Sequence, residues 1–162
     1  MVSLPTLGKQ EPLPLLYNPL FKCHRVGEDC PETPERLEEI LEDIGVNYLQ
    51  VNENGESYLS LIHEEAYIEE IQRKCQELAP EETVLAREDD LDTWLCDQSF
   101  AVASRAAGAA VQAAASSKKA QTMFSLNRPP GHHAFPAQSR GFCIFNNMAI
   151  AAEYLRQQSE PL

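Results

Sequence analysis

Positive charge is scarce in this chain: 13 lysines and arginines stand against 25 aspartates and glutamates, a net charge of −12. Non-specific binding to nucleic acid needs clustered cations that neutralise phosphates, so this balance excludes it. Cationic partners would be electrostatically welcome, although acidity also serves plain solubility. The chain has no apolar run of membrane length; its most apolar stretch, 101–115, is interrupted by Arg105 and Gln112. The start, Met1-Val2-Ser3-Leu4-Pro5, has neither the basic region nor the long apolar run of a secretory signal. Cysteine offers no disulfide framework: Cys23, Cys30, Cys75, Cys96 and Cys143 are odd in number, irregularly spaced and without a Cys-x-x-Cys pair. Free thiols in a reducing compartment are expected, which means the cytoplasm, with the nucleus also compatible. Cys23, His24 and Cys30 could be drawn as part of a zinc knot, but that set lacks a fourth ligand. No internal repeat or low-complexity linker is present.

What remains reads as strands alternating with helices. Residues 1–12 are polar and proline-containing, a leader expected to be flexible. Leu13–Tyr17 reads as a first strand, and a loop follows over Asn18–Pro31. Thr33 caps a helix with Pro34 at its first position, whose apolar residues Leu37, Ile40, Leu41 and Ile44 share one face, and Gly45 stops it. Val46–Val51 reads as a second strand and Asn52–Gly55 as a turn. One or two helices over 56–79 end at Pro80. An acidic loop over Glu81–Asp92 leads to an Ala-rich helix at 98–116. A short, buried strand at 121–126 and a final helix at about 147–157 complete the pattern. Such alternation predicts a parallel sheet covered by helices on both faces.

Between the last strand and helix stands the most informative segment, Arg128-Pro129-Pro130-Gly131-His132-His133-Ala134, followed by Gly141-Phe142-Cys143-Ile144-Phe145-Asn146-Asn147. The two prolines cannot donate to a sheet ladder and end the strand. Gly131 is expected to adopt a backbone conformation closed to other residues. The outcome is a stiff turn at a strand's carboxyl end, where open α/β sheets bind ligands. Neighbours on a regular strand point to opposite faces, so only an irregular backbone lets His132 and His133 face one pocket. Imidazoles titrate near neutral pH, which suits a pair in which one ring accepts a proton while the other holds or donates one. Adjacent histidines alone do not supply the three or four ligands that zinc takes.

These residues resemble the amino-terminal half of the histone deacetylase family, which includes acetylpolyamine amidohydrolases and related bacterial deacetylases. Pro31-Glu32-Thr33-Pro34-Glu35-Arg36-Leu37, Ile62-His63 with Tyr67-Ile68, and Asp92-Thr93 followed by Ser99 and Ala106-Ala107-Gly108 resemble further family motifs in the same order. The resemblance implies a three-layer α/β/α fold with a mainly parallel, arginase/deacetylase-like sheet, incomplete over residues 13–162. It implies a zinc-dependent amidohydrolase acting on acetyl-lysine in a protein or on a small acetylated amine. His132 and His133 would be the acid/base pair. Phe142 resembles one wall of the substrate tunnel, or is a core aromatic; Gly141 lets the backbone approach that tunnel, or only makes a turn. Asp92 resembles the rim aspartate that binds substrate backbone, or is a solvated acid. Arg36 resembles the arginine of the inner exit channel, or forms a surface salt bridge. His63 is expected to be a structural helix residue.

In the family, the zinc ligands are an Asp-x-His pair on the next strand and an aspartate on a later loop, and a still later tyrosine polarises the carbonyl. None is assignable here, because no aspartate or histidine follows His133. The expectation is therefore a fragment, a truncated isoform or the product of a broken gene, with no metal ligands and no activity alone. The alternative is a non-catalytic product that binds a partner, or itself, through an unfinished sheet edge.

Overall fold

The structure, a computed structural model, describes residues 13–44, 47–117 and 122–159. The expected leader, Gly45, Val46 and Gln121 lie outside the described residues. Three strands, β1 (Leu15–Tyr17), β2 (Tyr48–Gln50) and β5 (Phe124–Ser125), form a parallel sheet in the order β2-β1-β5. Every residue of β1 is buried. Successive strand residues face opposite ways, so both faces of the central strand are covered. This is the expected α/β layering.

The helices are α1 (Glu35–Ile44), α2 (Glu65–Glu77), α3 (Ser99–Ser117) and α4 (Asn147–Gln158). Helix α3 is apolar nearly all round, as a helix must be to sit between two packed surfaces. Val102, Ala106 and Ala109 join Leu15, Leu16, Tyr17, Phe21, Leu37, Val51 and Leu126 in one core cluster. Ala103, Ala107 and Val111 join a second cluster with Tyr67, Ile68, Ile71, Leu95, Ile144, Phe145 and Ile150. Alanine's small side chain lets both surfaces approach, and each fully buried Val, Leu, Ile or Phe packed against it adds roughly 1.5–3 kcal/mol.

Four expectations change. The acidic segment 81–92 does not form a loop: Val84–Arg87 (β3) and Asp90–Leu95 (β4) pair as an antiparallel hairpin. Glu88 and Asp89 form the turn, while Val84, Leu85, Thr93, Trp94 and Leu95 supply the β-branched and apolar content that a pleated surface favours. The 56–79 region splits into a 3-10 helix (Gly55–Leu61) and α2, so His63 lies in the break rather than in a helix. The apolar face of α1 is only partly covered: Leu37 is buried, while Ile40 and Ile44 are 40% and 55% exposed. The last strand is shorter and less buried than 121–126, with Phe124 52% exposed. Among the described residues β5 pairs with β1 alone, and a strand with one neighbour is covered on one edge only.

Candidate active site

The chain leaves β5 into a long loop, and its first anchor is Arg128. Leu126 N–H still reaches the Leu16 carbonyl at 2.9 Å. Arg128, 1% exposed, then inserts between the amino-terminal segments. Its Nε donates to Glu32 Oε1 at 3.0 Å and lies 2.9 Å from Oε2. Nη1 reaches the Phe21 carbonyl at 3.1 Å and that of His24, and Nη2 reaches the Glu32 carbonyl at 2.8 Å. A planar guanidinium fork is the one side chain that can satisfy so many fixed acceptors together. Burial pushes the Glu32 carboxyl up to about 7, against the opposing pull of Arg128 and Arg36. Burial likewise lowers His24 to about 3, helped by Arg128 and Arg25; its Nδ1 lies 2.7 Å from Ser99 Oγ.

The Arg128–Pro129 peptide is cis, and Asn147 Nδ2 donates to the Pro129 carbonyl at 3.2 Å. Gly131 is needed for a reason other than the one expected. Its φ is not in the left-handed region; instead a Cβ there would lie 2.5 Å from both Asn147 N and the Phe145 carbonyl oxygen. Close approach of α4's start to the turn, not backbone strain, excludes a side chain.

Beyond Gly131 the two histidines emerge exposed, with ring centroids 4.1 Å apart and planes inclined by 49°. Among the described residues none of the four ring nitrogens has a hydrogen-bond partner. The His133 amide faces Cys143 Sγ at 3.5 Å. The return of the loop is strained: Gly141 has φ +54° and Phe142 φ +69°. A left-handed conformation is unusual for an aromatic residue and persists only where the surroundings enforce it. Here buried Thr93 on β4 accepts the Phe142 N–H through Oγ1 at 3.1 Å.

The expected site residues divide between two cavities, His133 bordering one and His132 the other, so the two rings do not line one pocket as the sequence suggests. One, of about 650 Å³, is bordered by Asp92, Gly141 and His133 together with Asp90 and Arg140. The other, of about 450 Å³, is bordered by Arg36, Phe142 and His132 together with Glu32, Arg128 and Ile40. Asp92 thus stands on a strand of the hairpin and not in a loop. Arg36 does make a salt bridge, 3.4 Å to Glu32, with its guanidinium largely exposed. Phe142 is half-buried and lines a cavity, which separates it from the two core clusters. Cys23, His24 and Cys30 form no ligand set: among the described residues no three His, Cys, Asp or Glu side chains could hold a metal. All five cysteines are free.

Sequence reasoning missed the residues that hold the loop. Arg128 and Glu32 were read only as letters of two motifs, although an arginine beside two prolines and a glutamate between Pro31 and Thr33 are opposite charges awaiting a partner. Thr93 was seen beside Asp92 but given no task. Asn146 caps α4 by accepting from Ala149 N–H at 3.0 Å and also donates through Nδ2 to the Ala134 carbonyl at 3.0 Å.

Comparison with known proteins agrees with this fold. The profile of the histone deacetylase domain matches residues 30–161. A probable deacetylase of Methanothermobacter thermautotrophicus is 49% identical over 76 residues, 45% of this chain and 23% of that protein. An uncharacterised protein of Synechocystis is 33% identical over 86% of this chain and 47% of its own length. A polyamine deacetylase of Mus musculus is 35% identical over 89% of this chain and 23% of its own length. The crystal structure of the HDA15 HD domain superposes with a TM-score of 0.76 at 25% identity, covering 90% of this chain and 44% of that one. The chain therefore spans less than half the length of these relatives. With the domain matched across most of its residues, the chain belongs to the histone deacetylase family.

Proposed function

We propose that this chain supplies the acid/base and channel-wall part of a deacetylase site, acting on the acetyl amide of acetyl-lysine or of a related acetylated amine. The observation that carries the reading is the exposed histidine pair, 4.1 Å between ring centroids, with each ring bordering a cavity of its own. One imidazole takes a proton from the attacking water, and the pair returns a proton to the departing amine nitrogen. Phe142 walls the acyl channel, Gly141 lets the backbone approach it, and Asp92 at the outer rim accepts hydrogen bonds from the substrate. Arg36 borders the inner cavity, where the released carboxylate would leave. The family's zinc would supply the Lewis acid when bound. The described residues of this chain do not fit that metal, having no convergent set of three ligands.

The reading therefore includes inactivity of the chain by itself. Hydroxamate-sensitive hydrolysis of an acetyl-lysine peptide or an acetylpolyamine by homogeneous, zinc-loaded protein would refute it. Complemented with the metal-binding part of a relative, the chain should gain turnover. His132→Ala and His133→Ala should then each lower it on the order of 10²–10⁴-fold, with substrate binding little changed. The substrate classes follow from the relatives, among them polyamine deacetylases and a histone deacetylase, and the net charge of −12 suits a cationic substrate. Free thiols fit action in a reducing compartment; no described helix is long and apolar enough to cross a membrane.

A second reading, a non-catalytic partner-binding module, is favoured by one feature. The free edge of β5 carries the exposed Phe124, and Met148 is 69% exposed on α4. Loss of self-association when the metal-binding part is supplied would favour the first reading. Retention of a partner in preference to that part would favour the second.

A further inference from the structure

His63 has no place in the proton-transfer chemistry, yet it is 3% exposed and makes two side-chain hydrogen bonds to the catalytic loop. It stands in the break between the 3-10 helix and α2, its ring packed against Tyr67 and Phe145 with centroids 5.5 and 5.2 Å away. Its Nδ1 lies 3.2 Å from the Pro136 carbonyl oxygen, and the Asn146 N–H donates to its Nε2 at 2.8 Å. Pro136 and Asn146 lie on the two arms of the loop that carries His132 and His133.

These partners fix the protonation of the ring. A backbone amide can only donate, so Nε2 must present a lone pair; a carbonyl can only accept, so Nδ1 must carry the hydrogen. Only the neutral Nδ1–H tautomer satisfies both, and burial, which lowers the pKa of His63, favours the neutral form. The line of action reaches the acid/base pair. Asn146, oriented by His63, donates its side-chain amide to the Ala134 carbonyl, the residue after His133. The Pro136 carbonyl also receives the Glu64 N–H at 3.0 Å, so one short segment grips that arm twice.

We propose that His63 is a positioning residue: its Nδ1–H tautomer clamps the Pro136 and Asn146 arms together and so sets the backbone that aims His133. The proposal rests on the reading of His132 and His133 as the acid/base pair, but its test needs no turnover. Long-range proton–nitrogen correlation spectra of the 162-residue chain should show His63 with a protonated Nδ1 and an unprotonated Nε2. His63→Phe keeps an aromatic ring and removes both bonds. Amide exchange at Ala134 and Asn146 should then rise on the order of tenfold, and the His132 and His133 ring signals should move. His63→Gln retains a donor and an acceptor in one amide and should restore much of that protection.

A protonated Nε2 in the wild-type chain overturns the proposal outright. So does a folded His63→Phe chain with wild-type exchange at Ala134 and Asn146 and unmoved His132 and His133 signals. If His63→Phe does not fold, His63→Gln and the wild-type tautomer decide: a folded His63→Gln chain as unprotected at Ala134 as at exposed amides also overturns it. Failure of the catalytic reading would appear elsewhere, as retained turnover in the His132 and His133 variants.

Discussion

Replacing Arg128 by methionine should be among the most damaging single changes available to this fold. The substitution keeps an unbranched side chain in the slot but strands everything the guanidinium served. Glu32, 5% exposed, loses its cation, and the carbonyls of Phe21, His24 and Glu32 lose their donor. Removing one partner of a buried ion pair costs about 3–5 kcal/mol, a large share of the roughly 5–15 kcal/mol that holds a typical domain. Protonation of Glu32 can absorb part of that loss, because burial already pushes its carboxyl up to about 7. The effect should therefore be largest at about pH 8, with the carboxylate ionised, and smaller at about pH 5. Urea unfolding followed by circular dichroism, with Arg128→Met, Glu32→Leu and the double variant compared, isolates the pair. The double variant should recover much of the loss, since two apolar side chains leave no orphaned charge. A loss below about 1 kcal/mol for Arg128→Met, or a double variant as unstable as the sum of the singles, would show that Arg128 does not anchor the loop.

The pH profile of stability should have a defined shape. His24, lowered to about 3, makes stability fall as pH drops from 6.5 towards 3, at about 1.4 kcal/mol per pH unit, whereas Glu32, raised to about 7, makes it fall as pH rises from 4.5 to 7. The two slopes oppose each other between 4.5 and 6.5, so thermal melting should be nearly flat there and decline below; a steep decline already at pH 6 would contradict the pair of assignments. Thr93→Val removes the acceptor that holds Phe142 at φ +69°. It should cost about 1–2 kcal/mol and speed exchange of the Phe142 amide, and unchanged exchange would show the strained turn to be held by other contacts. The open β5 edge should give concentration-dependent self-association by size exclusion, reduced by Phe124→Lys; a monodisperse monomer with a sharp, cooperative melt would instead mark residues 1–162 as self-sufficient.

How much of this was legible depends on whether a residue's meaning lies in its local pattern. The helices α1, α3 and α4 follow from capping residues, proline placement and apolar spacing, all of which act over a few positions. The histidine pair and the proline stop could be read for the same reason, whereas nothing local announces the left-handed backbone at Phe142. The β3–β4 hairpin was hidden because its acids resemble a solvated loop, although Asp90 pairs with Arg87 while Trp94 and Leu95 pair with Leu85 and Val84. The loop's anchors were hidden by distance along the chain. Arg128 meets Glu32 across 96 positions and His63 meets Asn146 across 83. No periodicity encodes either contact, and a single sequence does not record which carbonyl a buried guanidinium will meet. Yet burial leaves these groups little choice, since an arginine or imidazole inside the core must find acceptors or forfeit several kcal/mol. The tight definition of this loop then follows from that demand: polar side chains distant in sequence reach it at Arg128, Pro136, Phe142 and Asn146, and between the first two of those points His132 and His133 emerge exposed.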